Sequence, residues 1–172
     1  MMQMLQAGGI SPLTDGRRQA DNDNPKGYYE HEGVKQLKVD NSFLEQAQGN
    51  SLKVIHALLK DLPAKYQYEI IFLNRDLHEV IRSQRVMLER LGKPGASINE
   101  DALISIFARQ VQETQQWIAS QPNMRLLCLD HHEVITQPTV SAQAIASFLQ
   151  RPMDIQSMSA AVDPTLYRHR KT

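Results

Sequence analysis

Four consecutive apolar residues, Ile70, Ile71, Phe72 and Leu73, followed three positions later by the start of a helical pattern, constrain this chain more than any other feature. A strand with one wet face alternates, whereas an unbroken apolar run is what a strand covered on both faces requires. The helix behind it has its own signals. Asp76 with Glu79 gives a capping-box-like start, and Leu77, Val80, Ile81, Met87, Leu88 and Leu91 recur at helical spacing until Gly92 and Pro94. A buried strand feeding directly into an amphipathic helix is the unit of a parallel sheet.

The unit repeats along the chain. After a capping box at Ser97 to Glu100, a long helix is predicted to place Leu103, Ile104, Phe107, Val111 and Ile118 on one face. Phe107 and Trp117 read there as packing residues. RLLCLD then reads as a strand, followed by the helix VSAQAIASFLQ. Upstream, NSFLEQAQGN reads as a short helix ended near Gly49, and LKVI as a brief buried strand running into ALLKDLP, where Pro63 stops the turn. With no hairpin signals, this pattern predicts an α/β fold with a mostly parallel sheet, in a single domain over residues 1–172 with a tail from 164. Ligands of such sheets bind where strand carboxyl ends meet helix N-termini.

The first ten residues, MMQMLQAGGI, read as an apolar helix face (Met1, Met2, Met4, Leu5) closed by Gly8-Gly9, with no residue ahead of it to serve as N-cap. The stretch lacks a basic n-region and is too short to span a bilayer, so a soluble, cytoplasmic protein with no membrane partner is expected. Nineteen basic residues balance nineteen acidic ones, which leaves no global field to hold nucleic acid. The single cysteine, Cys128, excludes an internal disulfide and a thiolate metal cage.

Two places could carry chemistry. Arg75 is predicted at the carboxyl end of the EIIFL strand, and Ser83 about two turns up the following helix, at the margin of its apolar stripe. A guanidinium at a strand mouth can fork onto a phosphate, and a hydroxyl on the adjacent helix adds a directional donor. The alternative is that Arg75 pairs with Asp76 or Glu79 while Ser83 faces solvent. The second place is the polar segment 11–33, too long for a plain connection and read as a loop or lid. It offers Asp23, Glu30, His31 and Glu32 as bases. Glu30 is the choice, because Tyr28 and Tyr29 could shield it and raise its pKa. The tyrosines could equally just anchor the loop. Lys26 is a further candidate for an anionic group. In DHHE, Asp130 to Glu133, four ligand types on an extended segment point in different directions, which argues against a metal. His131 there could be a polar group at the mouth of its strand. The basic tail RHRK, Arg168 to Lys171, reads as a solvated terminus.

The Arg and Ser eight positions apart in NRDLHEVIRSQ resemble the 3′-phosphate-binding motif of sulfotransferases that use 3′-phosphoadenosine 5′-phosphosulfate. MMQMLQAGGI followed by LTD, then DNPKGYYE, KVI, LLKDLP and VDPTLYR, extends the likeness over nearly the whole chain. In order and spacing the chain is similar to a bacterial sulfotransferase-like family within the P-loop NTPase superfamily. The resemblance implies a three-layer sheet, the nucleotide as sulfate donor, a hydroxyl or amine acceptor, and Arg75 and Ser83 as donor-binding residues. It also implies that a strand and a PRSGTS-type loop precede the first helix, the loop's N–H groups cradling the 5′-phosphosulfate. On this reading the chain is truncated and inactive as it stands. The missing strand would lie centrally, between EIIFL and RLLCL. Those two would then meet directly, be bridged, or leave buried backbone groups unpaired at roughly 1 to 3 kcal/mol each. Two other readings are a non-catalytic nucleotide-binding or interaction domain on the same scaffold, and a P-loop kinase relative, the latter disfavoured because GxxxxGK[ST] is absent.

Overall fold

The structure, a computed structural model, describes residues 1–21, 24–90, 92 and 99–166. Asp23, Leu91, Pro94, Ser97 and the RHRK tail therefore lie outside the described residues. The chain is mixed α/β. Helix α1 (Met2–Ala7) leads through a long irregular segment and three short 3-10 turns, Glu32–Gln36, Ser42–Ala47 and His56–Asp61, to strand β1 (Tyr68–Asn74). Helices α2 (Leu77–Arg90) and α3 (Glu100–Ala119) follow, then strand β2 (Met124–Asp130) and helices α4 (His131–Thr136), α5 (Pro138–Leu149) and α6 (Ile155–Ala160). A 3-10 turn at Pro164–Leu166 ends the described chain.

Both strands stand where the apolar runs put them, and they pair with each other in parallel from Tyr68↔Met124 to Asn74↔Asp130. Of the three outcomes open to strands lacking a central neighbour, direct pairing is the one observed. Among the described residues the sheet has these two strands alone. Its entry end is fixed by buried Asn123, whose side-chain amide donates to the Tyr66 carbonyl (2.9 Å), while Tyr68 donates its hydroxyl to the Pro63 carbonyl (2.8 Å). Burial pushes that phenol up to about 12.

LKVI is not a strand. The backbone before it pairs elsewhere: Ser51 forms an isolated parallel bridge with Pro12, its N–H donating to Ser11 and its carbonyl accepting from Leu13. Leu52 and Val54 instead pack against buried Val34, Leu37 and Leu44, a small cluster of its own under the 3-10 turns.

DHHE is likewise not extended beyond its first residue. Asp130 accepts from the backbone N–H groups of His132 (2.7 Å) and Glu133 (3.2 Å), capping α4, so His131 to Glu133 are its first turn. Three of four residues expected on a strand sit on a helix because one carboxylate satisfied two of its free donors. Among the described residues no group of three or more His, Cys, Asp or Glu could hold a metal ion.

The main core lies on one face of the sheet. Buried Met4, Leu5, Val134, Ala142, Ile145, Leu149 and Met158 of α1, α4, α5 and α6, with Ile10 just beyond α1, pack against Ile71, Leu73, Leu127 and Leu129. The glycine stop after α1 has two parts. Gly9 takes the left-handed φ of 98°, and Gly8 lets the chain pass α6 so closely that a Cβ there would meet the Met158 sulfur at 2.7 Å. No helix among the described residues is long and apolar enough to cross a membrane.

Candidate functional site

The parallel register that ends at Asn74↔Asp130 sets the next residues, Arg75 and His131, side by side at the carboxyl end of the sheet. This is the mouth where an α/β sheet presents ligands. Asn74 is fixed there by the Gln115 side-chain amide (3.0 Å) from α3, and Arg75 is exposed. The backbone turns into α2 immediately, with Asp76 accepting from the His78 N–H (2.9 Å). Burial and the nearby charges of Arg75 and the Met1 amine push the His131 imidazole down to about 4, against the opposing pull of Glu79 and Asp130. Those four groups therefore surround one imidazole. The Met1 amine is itself lowered by burial.

Glu79 is buried on α2, and Ser83 follows it by one helical turn, so the two share a flank. Ser83 is half-buried on that flank, about 9 Å of helix rise from the start of α2. The flank facing His131 thus carries a carboxylate below and a hydroxyl above, with the Arg75 guanidinium at its foot. Sequence spacing pointed to Arg75, Ser83 and His131. Glu79, which the sequence offered as a cap and as a possible partner of Arg75, is buried here.

In segment 11–33 the expected loop is present, held by its own polar contacts. Thr14 donates to the Glu30 carbonyl (2.8 Å), Asp15 accepts from the Glu32 N–H (2.7 Å), and Tyr29, at a left-handed φ of 54°, donates its hydroxyl to Gln6 (3.2 Å). His31 does not act as a free base candidate: its ring stacks on Phe43 at 4.5 Å and its Nδ1 accepts from the Gly33 N–H. Glu32 pairs with Lys35, and Lys26 pairs with Asp163.

Glu30 departs from the expected chemistry. Burial alone would raise its carboxyl, but the hydrogen bond and charge of Lys53 (3.1 Å), then of Arg18 (3.2 Å), outweigh it and hold the pKa below the ordinary value. The tyrosines do not produce the upward shift that the sequence suggested. Tyr28 serves the clamp differently: the Arg18 guanidinium stacks 3.3 Å over its ring, its hydroxyl donates to Asp21, and its carbonyl accepts from Lys53. Lys53 and Arg18 were missed because they lie 23 and 12 residues from Glu30 with no local pattern linking them.

A cleft of about 1770 Å³ runs from this loop past the sheet. All seven residues of β1 line it, together with Val54 and Leu59 on one wall and Phe107 and Val111 of α3 on the other. Among the described residues, the Lys and Arg of its lining are Lys26, Lys53, Lys65, Arg75 and Arg151, and the carboxylate is Glu69. Comparison with known proteins found no matching family model, no matching curated protein and no matching solved structure.

Proposed function

We propose that this chain carries the nucleotide-anchoring half of a sulfotransferase-type site, on a scaffold of the P-loop class, with 3′-phosphoadenosine 5′-phosphosulfate as donor. Arg75 and Ser83 are the donor-binding residues of this reading, and a hydroxyl or amine is the acceptor. The observation that supports it is an exposed guanidinium at the mouth of a parallel strand pair, with a half-buried hydroxyl farther up the adjoining helix, although Arg75 lines the cleft and Ser83 is not among its described lining residues. That is the disposition a terminal phosphate needs, with one charged fork and one directional donor. The donor, when bound, supplies the sulfuryl group. The protein residues at its 3′ end fit such a group, except that buried Glu79 opposes an anion there.

At the reactive end the fit is poor among the described residues. Helix α1 has six residues and no side-chain cap hydrogen bond at its N-terminus. A strand inserted centrally, as the family likeness implies, would have to part β1 from β2. Glu30 could take a proton from an acceptor only after Lys53 and Arg18 release it, since a carboxylate held low is a weak base. A free Cys128 fits the reducing cytoplasm, and the balanced charge fits a nucleotide partner rather than a nucleic acid.

Calorimetry with 3′-phosphoadenosine 5′-phosphate tests the reading. Residues 1–172 should bind it weakly or not at all and transfer no sulfuryl group. A form carrying a phosphosulfate loop ahead of residue 1 should bind it, and Arg75→Ala in that form should weaken binding by more than the roughly 1 kcal/mol of a neutral hydrogen bond. Unchanged affinity removes Arg75 from the site. A second reading, a non-catalytic interaction domain, is favoured by one observation: the candidate base is already neutralised by two cations, Arg18 within the loop and Lys53 beyond it.

A further inference from the structure

The long cleft has a use that the nucleotide reading leaves open, and it begins with hydrogen-bond accounting along β1. The Tyr68 N–H donates to Asn123 of the β2 segment (2.9 Å). In a parallel ladder the main-chain groups of alternate residues point to opposite edges. Tyr68, Ile70, Phe72 and Asn74 therefore direct theirs at β2, and Glu69, Ile71 and Leu73 direct theirs outward. Residues of both parities line the cleft, which a single pleat face could not do, so the outer edge of β1 opens into it. Every residue of the strand is half-buried, although its sequence is that of a strand covered on both sides.

Two features choose the occupant. The edge offers a row of main-chain donors and acceptors recessed between walls from α3 and from the segment around Val54. A globular surface cannot reach it, whereas an extended segment can. The walls and rim set its chemistry: apolar side chains at the centre and, among the described lining cations, Lys26, Lys53 and Arg151 already paired with Asp163, Glu30 and Glu69. Lys65 and Arg75, both exposed, mark the two ends of β1. Arg125 and Arg151 both pair with Glu69, so the positive charge of the rim rests on Lys65 and Arg75.

We infer that the cleft is a docking groove for an extended segment of a partner polypeptide, apolar at its centre and acidic at its flanks, added as a strand to the outer edge of β1. Seven residues of strand span roughly 23 Å, matching the length of β1, and each alternate main-chain pair on the edge gains a partner. The inference does not rest on the nucleotide reading, because the edge amides are not nucleotide contacts and Ser83 takes no part in it, although Arg75 serves both.

The test uses the intact chain and a synthetic probe of about nine residues, five alternating valines and threonines between acidic pairs. Amide hydrogen exchange should slow at least tenfold at Glu69, Ile71 and Leu73 when the probe is added. Ile70 and Phe72, already bonded to β2, should change little. A control with lysine flanks should bind at least tenfold more weakly. Two further probes, each N-methylated along one edge, should behave oppositely, one retaining binding and the other losing it. No protection of the three amides, equal binding of the lysine-flanked peptide, or equal binding of both methylated probes overturns the inference. Protection that rises with protein concentration and no peptide would also overturn it, assigning the edge to a second copy of this chain.

Discussion

On one face of the sheet Ile71, Leu73, Leu127 and Leu129 meet helices α1, α4, α5 and α6 across a core in which Ile145 and Met158 are 0% exposed. On the other, Ile70 and Phe72 belong to neither buried cluster and look into a cleft. The same strand supplies both sets, one residue apart. The difference is not one of hydrophobicity, since the residues are matched in kind. It comes from the partners: the first face has four helices, while the second has α3 packed against β2 and the 56–61 turn. Burial of apolar surface is a property of the pair, and β1 has found only half of its pairs.

The largest effect that can break this comparison is a truncation on each side. Ile145→Ala, in the closed core, should lower the unfolding free energy by about 2 to 5 kcal/mol, because the removed atoms leave a cavity the helices cannot close. Phe72→Ala, although it removes a larger side chain, should cost less than about 2 kcal/mol, since its half-buried ring borders the open cleft and its removal encloses no new cavity. Urea unfolding of both variants measures the contrast. Equal losses would mean that the cleft is closed in solution.

A smaller effect sharpens the comparison at the mouth where the two faces meet. The folded pKa of His131, about 4, lies below the roughly 6.5 of an unfolded histidine. Between those values the unfolded chain binds the extra proton, so stability rises with pH in that window. It is fully present above about pH 6.5 and is lost as pH falls toward 4. Arg75 and the Met1 amine oppose the proton while Glu79 and Asp130 favour it, and the half-exposed ring limits the size of the slope. His131→Asn should flatten the stability profile across that window while leaving it unchanged near pH 8. A slope that survives the substitution assigns the acid sensitivity to other groups.

Legibility in the sequence followed the reach of each signal. β1, α2 and α3 rest on apolar periodicity within one element and were readable from it. So was the position of Arg75, because a strand's end and a helix's start fix it locally. LKVI failed because a short apolar run states only that a segment wants burial. Leu52 and Val54 obtained it from Val34, Leu37 and Leu44 without pairing in the sheet. Helix α4 was missed although Asp130 stands three residues before Glu133, the spacing of a capping box, because the preceding strand pattern was read through it. Helix α6 was missed too, being six residues long with only the Asp154 cap accepting from Ser157 to announce it. The clamp on Glu30 had no local signal at all.

That clamp gives the smallest effect. Glu30 is held below its ordinary pKa, so its contribution to stability is present above the unfolded value, roughly 4.3, and is lost as pH falls through the lower folded value. Lys53→Met removes the stronger of the two cations and should raise the Glu30 pKa, readable as a shift of its side-chain carboxyl resonance on titration. The stability change should stay within about 1 kcal/mol, because solvent screens a pair whose side chains are 39% and 30% exposed. The rise would bring Glu30 nearer the range a general base needs, with Arg18 alone still holding it. If the resonance does not move, Lys53 serves only to hold the Tyr28 carbonyl, and the loop is a strut whose acid was never poised for chemistry. If it moves and the loop stays folded, with Tyr29 still donating to Gln6, the loop's order and the state of its carboxylate are separable. A lid that traded Lys53 for a substrate group would need that separability.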